Sequence, residues 1–299
     1  MWINKRIFGG QDMKLFADTA NIDEINYCFS KGVNDGITTN PRIMELTGDI
    51  SKGFEGASKL ILNNFCNVPV SLETDLRGLD VKNLEKINPL VVKKVLLDQA
   101  YEISSWGENT VIKIPICKGG LLAVEELAKK DIKTNVTACM NPYQAISAAN
   151  SGATYVSLFA NRMLDAHILQ LSGHSLEEII NNKDWKDIIN LNKEKYLEKA
   201  WDKTLDEISY VASRLEGKDS ELIVGSIRKA EDIYRLAKAE PQIITIPTNI
   251  VKCLEDISSV KKTNRSIKCQ RYHGDNSLSH PMTQYTLEEF EESTKSYRH

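Results

Sequence analysis

The chain has 299 residues, 41% of them hydrophobic and 26% charged, with a formal net charge of -3, and this size fits one large α/β barrel or two ordinary domains. The small negative charge provides no basic field for nucleic acid, and no segment approaches the ~20 apolar residues of a membrane helix. Because the first residues also contain no apolar signal-peptide core, the sequence predicts a soluble, cytoplasmic protein with neither nucleic-acid nor membrane partners.

Short apolar or β-branched runs alternate along the chain with longer segments of helical period, a pattern typical of repeated βα units. The predicted strands are 14–19, 36–40, 68–75, 110–116, 134–139, 155–160, 221–226 and 242–247. Helical segments follow them, for example 22–31, 90–106, 121–130 and 142–150. Such a series fits a single closed (β/α)8 TIM barrel better than an open sheet, so the predicted fold class is α/β.

Parts of the chain exceed this minimal repeat. Segment 163–215 leaves room for additional helices after the sixth strand, and 260–279 is polar and turn-rich, which predicts a long loop. A C-terminal helix is predicted over 287–297, and its acidic run is interpreted as a solvated face. The barrel domain is predicted to span 13–299, with 1–12 as an N-terminal extension.

The six cysteines and five histidines are scattered along the chain, without C-x-x-C motifs or paired Cys/His spacing. The cysteines are interpreted as reduced, packed side chains. The sequence therefore predicts no metal site.

Lys113 is the only charged residue in the apolar strand predicted over 110–116. Burial disfavours the charged form of an amine, and an uncharged amine can attack a carbonyl carbon to form a Schiff base. The alternative is structural, because a long lysine at a strand end commonly extends to water. The residue alone leaves both interpretations open.

The active site of a TIM barrel lies at the carboxyl ends of its strands, so the polar residues there form the candidate site. They are Asp18, Thr38, Thr39, Asn40, Glu73, Asp75, Lys113, Asn135, Thr137, Ser157, Arg162, Ser226 and Arg228. Structural alternatives remain for several of them. Asp18 and Asn40 could cap the following helices, and Glu73 could be a simple salt-bridge partner of the lysine. Arg162 and Arg228 could be surface residues.

Nearly the whole chain resembles the transaldolase family, which includes the fructose-6-phosphate aldolases. The motifs that carry the resemblance are FADTAN at 16–21, GITTNP at 36–41, VSLE at 70–73, VIKIP at 111–115, NVT at 135–137, YVSLFANR at 155–162, GSIR at 225–228, ITIP at 244–247 and HPMT at 280–283. They follow one another in the order that the family shows.

The resemblance implies an enzyme without a cofactor, in which Lys113 condenses with the carbonyl of a ketose phosphate such as sedoheptulose 7-phosphate or fructose 6-phosphate. Cleavage of the C3–C4 bond leaves a dihydroxyacetone unit on the lysine until an aldose phosphate accepts it, as in the pentose phosphate pathway. Asp18 matches the family's acid/base, and Glu73 and Thr137 match the pair that activates water. The implied binding residues are Asn40, Asn135 and Ser157 for hydroxyls, and Arg162, Ser226 and Arg228 for the phosphate.

Two positions favour transfer over release of free dihydroxyacetone. Phe159 and Glu73 stand where simple aldolases of the family tend to carry tyrosine and glutamine, and an apolar ring cannot donate the proton that helps to release the ketone. Arg42 replaces the usual serine and could recruit a second phosphate or a carboxylate. The alternatives are an enzyme similar to fructose-6-phosphate aldolase and a non-catalytic sugar-phosphate-binding barrel. The resemblance also allows a homo-oligomer.

Overall fold

The computed structural model describes residues 13–182, 184–255, 257, 260, 272, 274 and 276–297. In this part of the chain, eight parallel strands close into a barrel in sequence order, and the last strand pairs with the first. The strands are β1 (Lys14–Asp18), β2 (Gly36–Thr38), β3 (Val70–Glu73), β4 (Thr110–Pro115), β5 (Thr134–Cys139), β6 (Tyr155–Phe159), β7 (Glu221–Gly225) and β8 (Ile243–Ile246). The predicted single (β/α)8 barrel is confirmed.

Several strands end one or two residues earlier than the sequence predicted, although the first residue after β2 and after β3 still donates its backbone N–H to the neighbouring strand. β2 ends at Thr38, and Asn40 already caps the next helix. β4 and β5 are buried at every position, as expected for parallel strands that are covered by helices outside and by side chains inside. The residues after the strands form one rim of the barrel, which we call the carboxyl rim.

Helices follow the strands on the outside of the barrel. They are α1 (Ile22–Ser30), α2 (Pro41–Thr47), α3 (Gly53–Asn64), α4 (Pro89–Ser104), α5 (Lys118–Ala128), α6 (Pro142–Asn150), α7 (Ala160–Leu171), α8 (Glu178–Asn181), α9 (Trp185–Leu215), α10 (Ala230–Ala237), α11 (Thr248–Val251) and α12 (Pro281–Thr294). Asn40, Asn88 and Asn141 cap α2, α4 and α6 through side chains that accept backbone N–H groups, each before a proline at the first helical position.

Helix α5 begins earlier than the predicted segment 121–130, because two glycines belong to its first turn. A Cβ atom on Gly120 would lie 2.3 Å from the carbonyl oxygen of Pro115, and one on Gly119 would lie 2.5 Å from Cβ of Val92. Only glycine lets the start of α5 approach the end of β4 and the side of α4 this closely. The glycines are therefore required by tertiary packing, although glycine is unfavourable within a helix.

The predicted additional helices after the sixth strand are α7, α8 and α9. Helix α9 has 31 residues and packs against α6 and α7. Its buried positions include Trp201, Leu205 and Ile208, which form the amphipathic run seen in the sequence. The segment thus extends the helical layer of the barrel.

The C-terminal helix, α12, begins at Pro281, earlier than the predicted segment 287–297. Nδ1 of His280 caps it by accepting the backbone N–H of Met282 at 3.1 Å. Burial lowers the pKa of His280 to about 4, so this nitrogen remains an acceptor at neutral pH. Thr283 Oγ1 donates to the carbonyl oxygen of Ala138 on β5 at 2.9 Å. Helix α12 also packs against α2 and therefore lies across the carboxyl rim.

Two predictions lie outside the described residues. The predicted N-terminal extension, 1–12, lies entirely outside the described residues, and most of the loop predicted over 260–279 does so too.

Candidate active site

Lys113 of β4 is 4% exposed and extends across the interior of the barrel. Its Nζ donates a hydrogen bond to the carbonyl oxygen of Thr39 at 2.8 Å and lies 3.3 Å from Oε2 of Glu73. The structural alternative, in which this lysine extends to water, is therefore wrong. Both contacts stabilise a charged ammonium, whereas the sequence led us to expect apolar surroundings that favour the amine. Oε2 of Glu73 is close enough to Nζ of Lys113 to exchange a proton with it.

Asp18 ends β1 and faces the same interior. Thr38, its register partner on β2, donates a hydrogen bond from Oγ1 to Oδ1 of Asp18 at 2.6 Å. Burial raises the pKa of Asp18, while the Thr38 hydrogen bond and the positive charge of Lys113 act in the opposite direction. Helix α1 is capped by Asn21, so Asp18 is not needed for the capping role that the sequence left open.

Asn135 and Ser157 belong to a hydrogen-bonded chain across three strands. Ser157 Oγ donates to Oδ1 of Asn135 at 2.7 Å, and Asn135 Nδ2 donates to Oγ of Ser71 at 3.1 Å. Asn135 is the register partner of Lys113, which places this chain beside the lysine. Thr137, two residues further along β5, has a buried hydroxyl with no hydrogen-bond partner among the described residues. Such a hydroxyl is suited to hold a water molecule or a substrate oxygen.

Asn40 has the capping role that the sequence left open. Its Oδ1 accepts the backbone N–H of Ile43 at 2.8 Å, at the start of α2. Arg42, in the first turn of the same helix, is exposed. Asp75 lies beyond the end of β3 and pairs with Arg77 at 3.0 Å. In this structure Asn40 thus caps a helix, and the carboxylate of Asp75 forms an ion pair with the exposed Arg77.

Arg162 and Arg228 both line a cavity of about 220 Å³ at the carboxyl rim. Arg162 donates from Nη2 to Oε2 of Glu289 on α12 at 2.6 Å. Arg228 binds both carboxylate oxygens of Asp165 on α7, at 2.8 and 2.5 Å. Although the two guanidinium groups reach the surface in part, they meet in one cavity, so the interpretation as unrelated surface residues is wrong.

Ser226 lies in the turn that positions Arg228. Its φ of 63° is in the left-handed region, which is unfavourable for a residue with a Cβ atom and is common at functional sites. Asn161 Nδ2 donates to the carbonyl oxygen of Ser226 at 2.9 Å and to Oδ2 of Asp232, also at 2.9 Å. The backbone N–H of Arg228 points at the same Asp232 oxygen, at 3.3 Å. These hydrogen bonds hold the strained turn in place.

Phe159 forms an apolar wall at the end of β6. It is 8% exposed, and its ring centroid lies 6.4 Å from that of Phe290 on α12. A small pocket between α12 and the ends of β3 and β4 is lined by Glu73 together with Leu287 and Phe290. Helix α12 thus covers the part of the rim that holds Glu73 and Phe159.

Sequence reasoning missed the acidic partners of the arginines. Asp165 carries a weak local signal, because it follows Arg162 by three residues on one helix, yet it binds the more distant Arg228. Glu289 belongs to the acidic run that was interpreted as a solvated face, and for this residue the interpretation is wrong. Burial by itself raises the pKa of Glu289, but Arg162 outweighs that effect, so the pKa is lowered. Tyr285 donates a further hydrogen bond to Glu289 at 2.8 Å.

Cys117 and Cys139 lie near the rim, but both thiols are in buried surroundings that disfavour the reactive thiolate. Burial raises the pKa of Cys117 to about 11, and Cys139 is also buried with a raised pKa. Over the described part of the chain, no three His, Cys, Asp or Glu side chains gather as a metal-ligand group. No helix in that part is both long and apolar enough to cross a membrane.

Comparison with known proteins agrees with this geometry. The sequence model described as "Transaldolase/Fructose-6-phosphate aldolase" matches residues 15–299. The chain belongs to the transaldolase/fructose-6-phosphate aldolase family. It is 33% identical over 245 residues to a probable transaldolase of Thermodesulfovibrio yellowstonii, covering 81% of this chain and 90% of that protein. A probable transaldolase of Hydrogenobaculum sp. is 34% identical over 242 residues, covering 81% of this chain and 88% of the relative.

The family match extends over the barrel, since it includes β2 to β8 in full and all of β1 except its first residue. A probable transaldolase of Desulfosudis oleivorans is 34% identical over 247 residues and covers 81% of this chain and 90% of its own length. The chain is therefore a transaldolase-type protein by family, and its fold is a (β/α)8 barrel.

Proposed function

We propose that the protein is a transaldolase that transfers a dihydroxyacetone unit from a ketose phosphate to an aldose phosphate in the cytoplasm, as in the pentose phosphate pathway. The observation that carries the proposal is the buried Lys113, paired with Glu73 in the interior of a closed barrel whose rim also holds Asp18. Burying a charged lysine is energetically unfavourable, because burial removes the hydration of the ammonium group. A lysine in this position therefore favours a chemical role over a structural one. Nucleophilic attack on a carbonyl is the chemistry of such a lysine.

The first step is capture of the donor sugar. The ammonium of Lys113 loses a proton to Glu73, which lies 3.3 Å away, and the free amine adds to the C2 carbonyl. The resulting carbinolamine loses its hydroxyl as water and becomes the Schiff base. Glu73 supplies the proton for that departing water, and the unpartnered hydroxyl of Thr137 is suited to hold the water beside it.

The second step is cleavage. Ionised Asp18 takes the proton of the C4 hydroxyl, the C3–C4 bond breaks, and an aldose phosphate leaves. The electron pair of the broken bond moves towards the Schiff-base nitrogen, so an enamine of dihydroxyacetone remains on Lys113. Asn135 and Ser157 lie beside the lysine, where they can bind the hydroxyls of the dihydroxyacetone unit. The hydrogen bond between them orients both side chains in advance. Attack of the enamine on an acceptor aldehyde reverses these events.

The aromatic wall at the rim favours transfer of the dihydroxyacetone unit to an acceptor over its release as free dihydroxyacetone. Phe159 and Phe290 present ring carbons rather than a proton donor, so neither of these two rings can protonate the enamine. Helix α12 also covers the pocket beside Glu73, which limits the access of water to the intermediate. The three-carbon unit is then retained until an aldehyde arrives.

The decisive experiment incubates the protein with fructose 6-phosphate, with and without erythrose 4-phosphate. We expect sedoheptulose 7-phosphate to form with the acceptor, and free dihydroxyacetone to remain at trace level without it. Rapid accumulation of free dihydroxyacetone would establish an aldolase instead. Absence of both products, together with no borohydride-reducible adduct, would establish a non-catalytic barrel.

Thr38→Val should shift the pH dependence of kcat/KM. The Thr38 hydroxyl stabilises ionised Asp18, so its removal raises the pKa of Asp18 further. Because Asp18 must be ionised to act as the base, activity rises with pH through that pKa. We expect the acidic limb to move to higher pH by about one unit, the size of one hydrogen bond to a charged group.

The control for this shift is Thr204→Val on α9, since Thr204 is buried and donates to the carbonyl oxygen of Ala200 within the same helix. Its pH profile should match that of the unsubstituted protein. An unchanged acidic limb in Thr38→Val would remove Asp18 from the role of base.

Arg228→Ala should raise KM for phosphorylated substrates by roughly 10- to 100-fold, the usual worth of a hydrogen-bonded charge pair. The value of kcat for unphosphorylated fructose should change little. Arg235→Ala is a matched control, because Arg235 also binds both oxygens of a carboxylate, Glu198, but does so outside the cavity. An unchanged KM in Arg228→Ala would exclude this arginine from the phosphate site.

A further inference from the structure

Helix α9 contributes one face of its first three turns to the cavity that holds the arginines. Lys186, Ile189, Asn190 and Lys193 all line this cavity, and their spacing of three, four and seven residues places them on one side of a helix. The segment belongs to the additional helices after the sixth strand, which exceed the minimal βα repeat. The cavity is therefore built partly by the barrel rim and partly by the insertion.

The charges that line the cavity do not balance. Its lining contains the cations Arg162, Lys186, Lys193 and Arg228 and the carboxylates Asp165 and Glu289. Each carboxylate is already bound by an arginine. Neither Lys186 nor Lys193 forms an ion pair with a carboxylate of the described residues. The lining thus has a surplus of two positive charges, which is the charge that a phosphate dianion neutralises.

Lys186 is held near the arginines by aromatic rings. Its Nζ lies 5.3 Å from the ring centroid of Tyr285 and 5.4 Å from that of Trp185. The guanidinium of Arg162 lies 5.6 Å from the Tyr285 ring, so one ring contacts both cations. Trp185 packs edge-on against Tyr285 at 5.2 Å. This cluster joins α9 to α12 and fixes the position of an otherwise flexible lysine.

Lys186 also acts electrostatically on the ion pair between Arg162 and Glu289. Its positive charge contributes to the lowered pKa of Glu289, in addition to the larger contribution of Arg162. The lysine is therefore close enough to act on the same anion as Arg162.

We propose that Lys186 and Lys193 bind the terminal phosphate of the sugar-phosphate substrate together with Arg162 and Arg228. The inference rests on the proposed transferase function and deepens it, because it names residues of the insertion as determinants of the preference for phosphorylated sugars. An ammonium acts as a point charge on a phosphate, whereas the arginines provide directed hydrogen bonds. The two lysines add affinity and long-range attraction, and the arginines fix the orientation of the sugar.

The test compares Lys186→Met and Lys193→Met with Lys199→Met. Methionine keeps most of the side-chain length and removes the charge, and Lys199 is an exposed lysine of the same helix outside the cavity. Binding of inorganic phosphate is measured by titration calorimetry, and kcat and KM are measured with fructose 6-phosphate and with unphosphorylated fructose as donors. Thermal unfolding of each variant verifies its fold.

We expect each cavity variant to raise Kd for inorganic phosphate and KM for fructose 6-phosphate about threefold to fivefold. This range corresponds to the loss of one partly exposed charge contact. The value of kcat, and all constants with unphosphorylated fructose, should remain within about twofold of the unsubstituted protein. Lys199→Met should leave every constant unchanged.

The outcomes separate this inference from the proposed function. If transfer occurs but neither lysine variant changes phosphate affinity or KM, the inference is wrong and the transferase function stands. If the unsubstituted protein transfers nothing, yet phosphate binding weakens in Lys186→Met and Lys193→Met, the anion site stands and the proposed function fails. Equal weakening by Lys199→Met would overturn the inference, because it would indicate a general effect of surface charge.

Discussion

Lys113→Ala is expected to abolish both transfer and covalent capture of the donor sugar. Treatment of the unsubstituted protein with fructose 6-phosphate and borohydride should add a reduced three- or six-carbon unit to Lys113, as located by mass spectrometry of its peptides. The variant should show no adduct and a loss of activity of at least ~10⁴-fold, because covalent capture is the route by which the C3–C4 bond is opened. Among the described residues, Lys113 is the only buried lysine, and its amine can form the Schiff base that supplies the electron sink.

The control for this result must separate chemistry from folding. Removing Lys113 leaves Glu73 buried without its cation, which costs about 3–5 kcal/mol of stability. Lys113→Met combined with Glu73→Gln removes both charges and keeps most of the side-chain volume. It should fold and still form no adduct. Lys118→Ala, in the same βα unit, should retain capture; an adduct that persists in Lys113→Ala would assign the nucleophile to another lysine.

Asp18→Asn is expected to uncouple capture from cleavage. The amide keeps an oxygen that can accept the Thr38 hydrogen bond of 2.6 Å, but it cannot accept the proton of the C4 hydroxyl. The Schiff base should therefore form and be trapped as the full ketose phosphate, while transfer falls by roughly 10²- to 10⁴-fold, the usual size of a general acid-base contribution.

The measurement is the ratio of trapped six-carbon adduct to transferred product, with Asp23→Asn as the control. Asp23 is an exposed acid in the first turn of α1, and its substitution should change neither quantity. Loss of the adduct in Asp18→Asn would mean that this carboxylate acts in capture or in folding. Unchanged transfer would exclude it as the base.

Much of the barrel could be predicted from the sequence, because its strands are short and continuously buried. β4 illustrates the reason: Lys113 interrupts a run that is otherwise apolar or β-branched, and such runs recur between segments of helical period. Helix starts were harder to predict. The first turn of α5 contains Gly119 and Gly120, which have low helix propensity, and only the crowding against β4 explains them. The start of α12 is polar, so its sequence shows little periodicity.

The candidate site was predictable as a set of positions but less so as a set of contacts. The strand-end rule collected Lys113, Asp18 and Glu73, and the β1–β2 register explains why Thr38 meets Asp18. The arginine partners could not be found in this way. Arg228 and Asp165 are 63 residues apart, and Arg162 and Glu289 are 127 apart, so no local pattern connects them. These pairs depend on where α7 and α12 dock.

The docking of α12 across the carboxyl rim makes this helix responsible for the fate of the proposed intermediate. A variant truncated before Pro281 would retain all eight strands, and with them the proposed nucleophile and the proposed base. It would lack Phe290 above Phe159 and the carboxylate that holds Arg162. Bulk solvent would then compete with the acceptor sugar, and the carried fragment would be lost to hydrolysis. In the proposed mechanism, retention of the three-carbon unit thus depends on α12, whereas its capture and cleavage depend on residues of the strands.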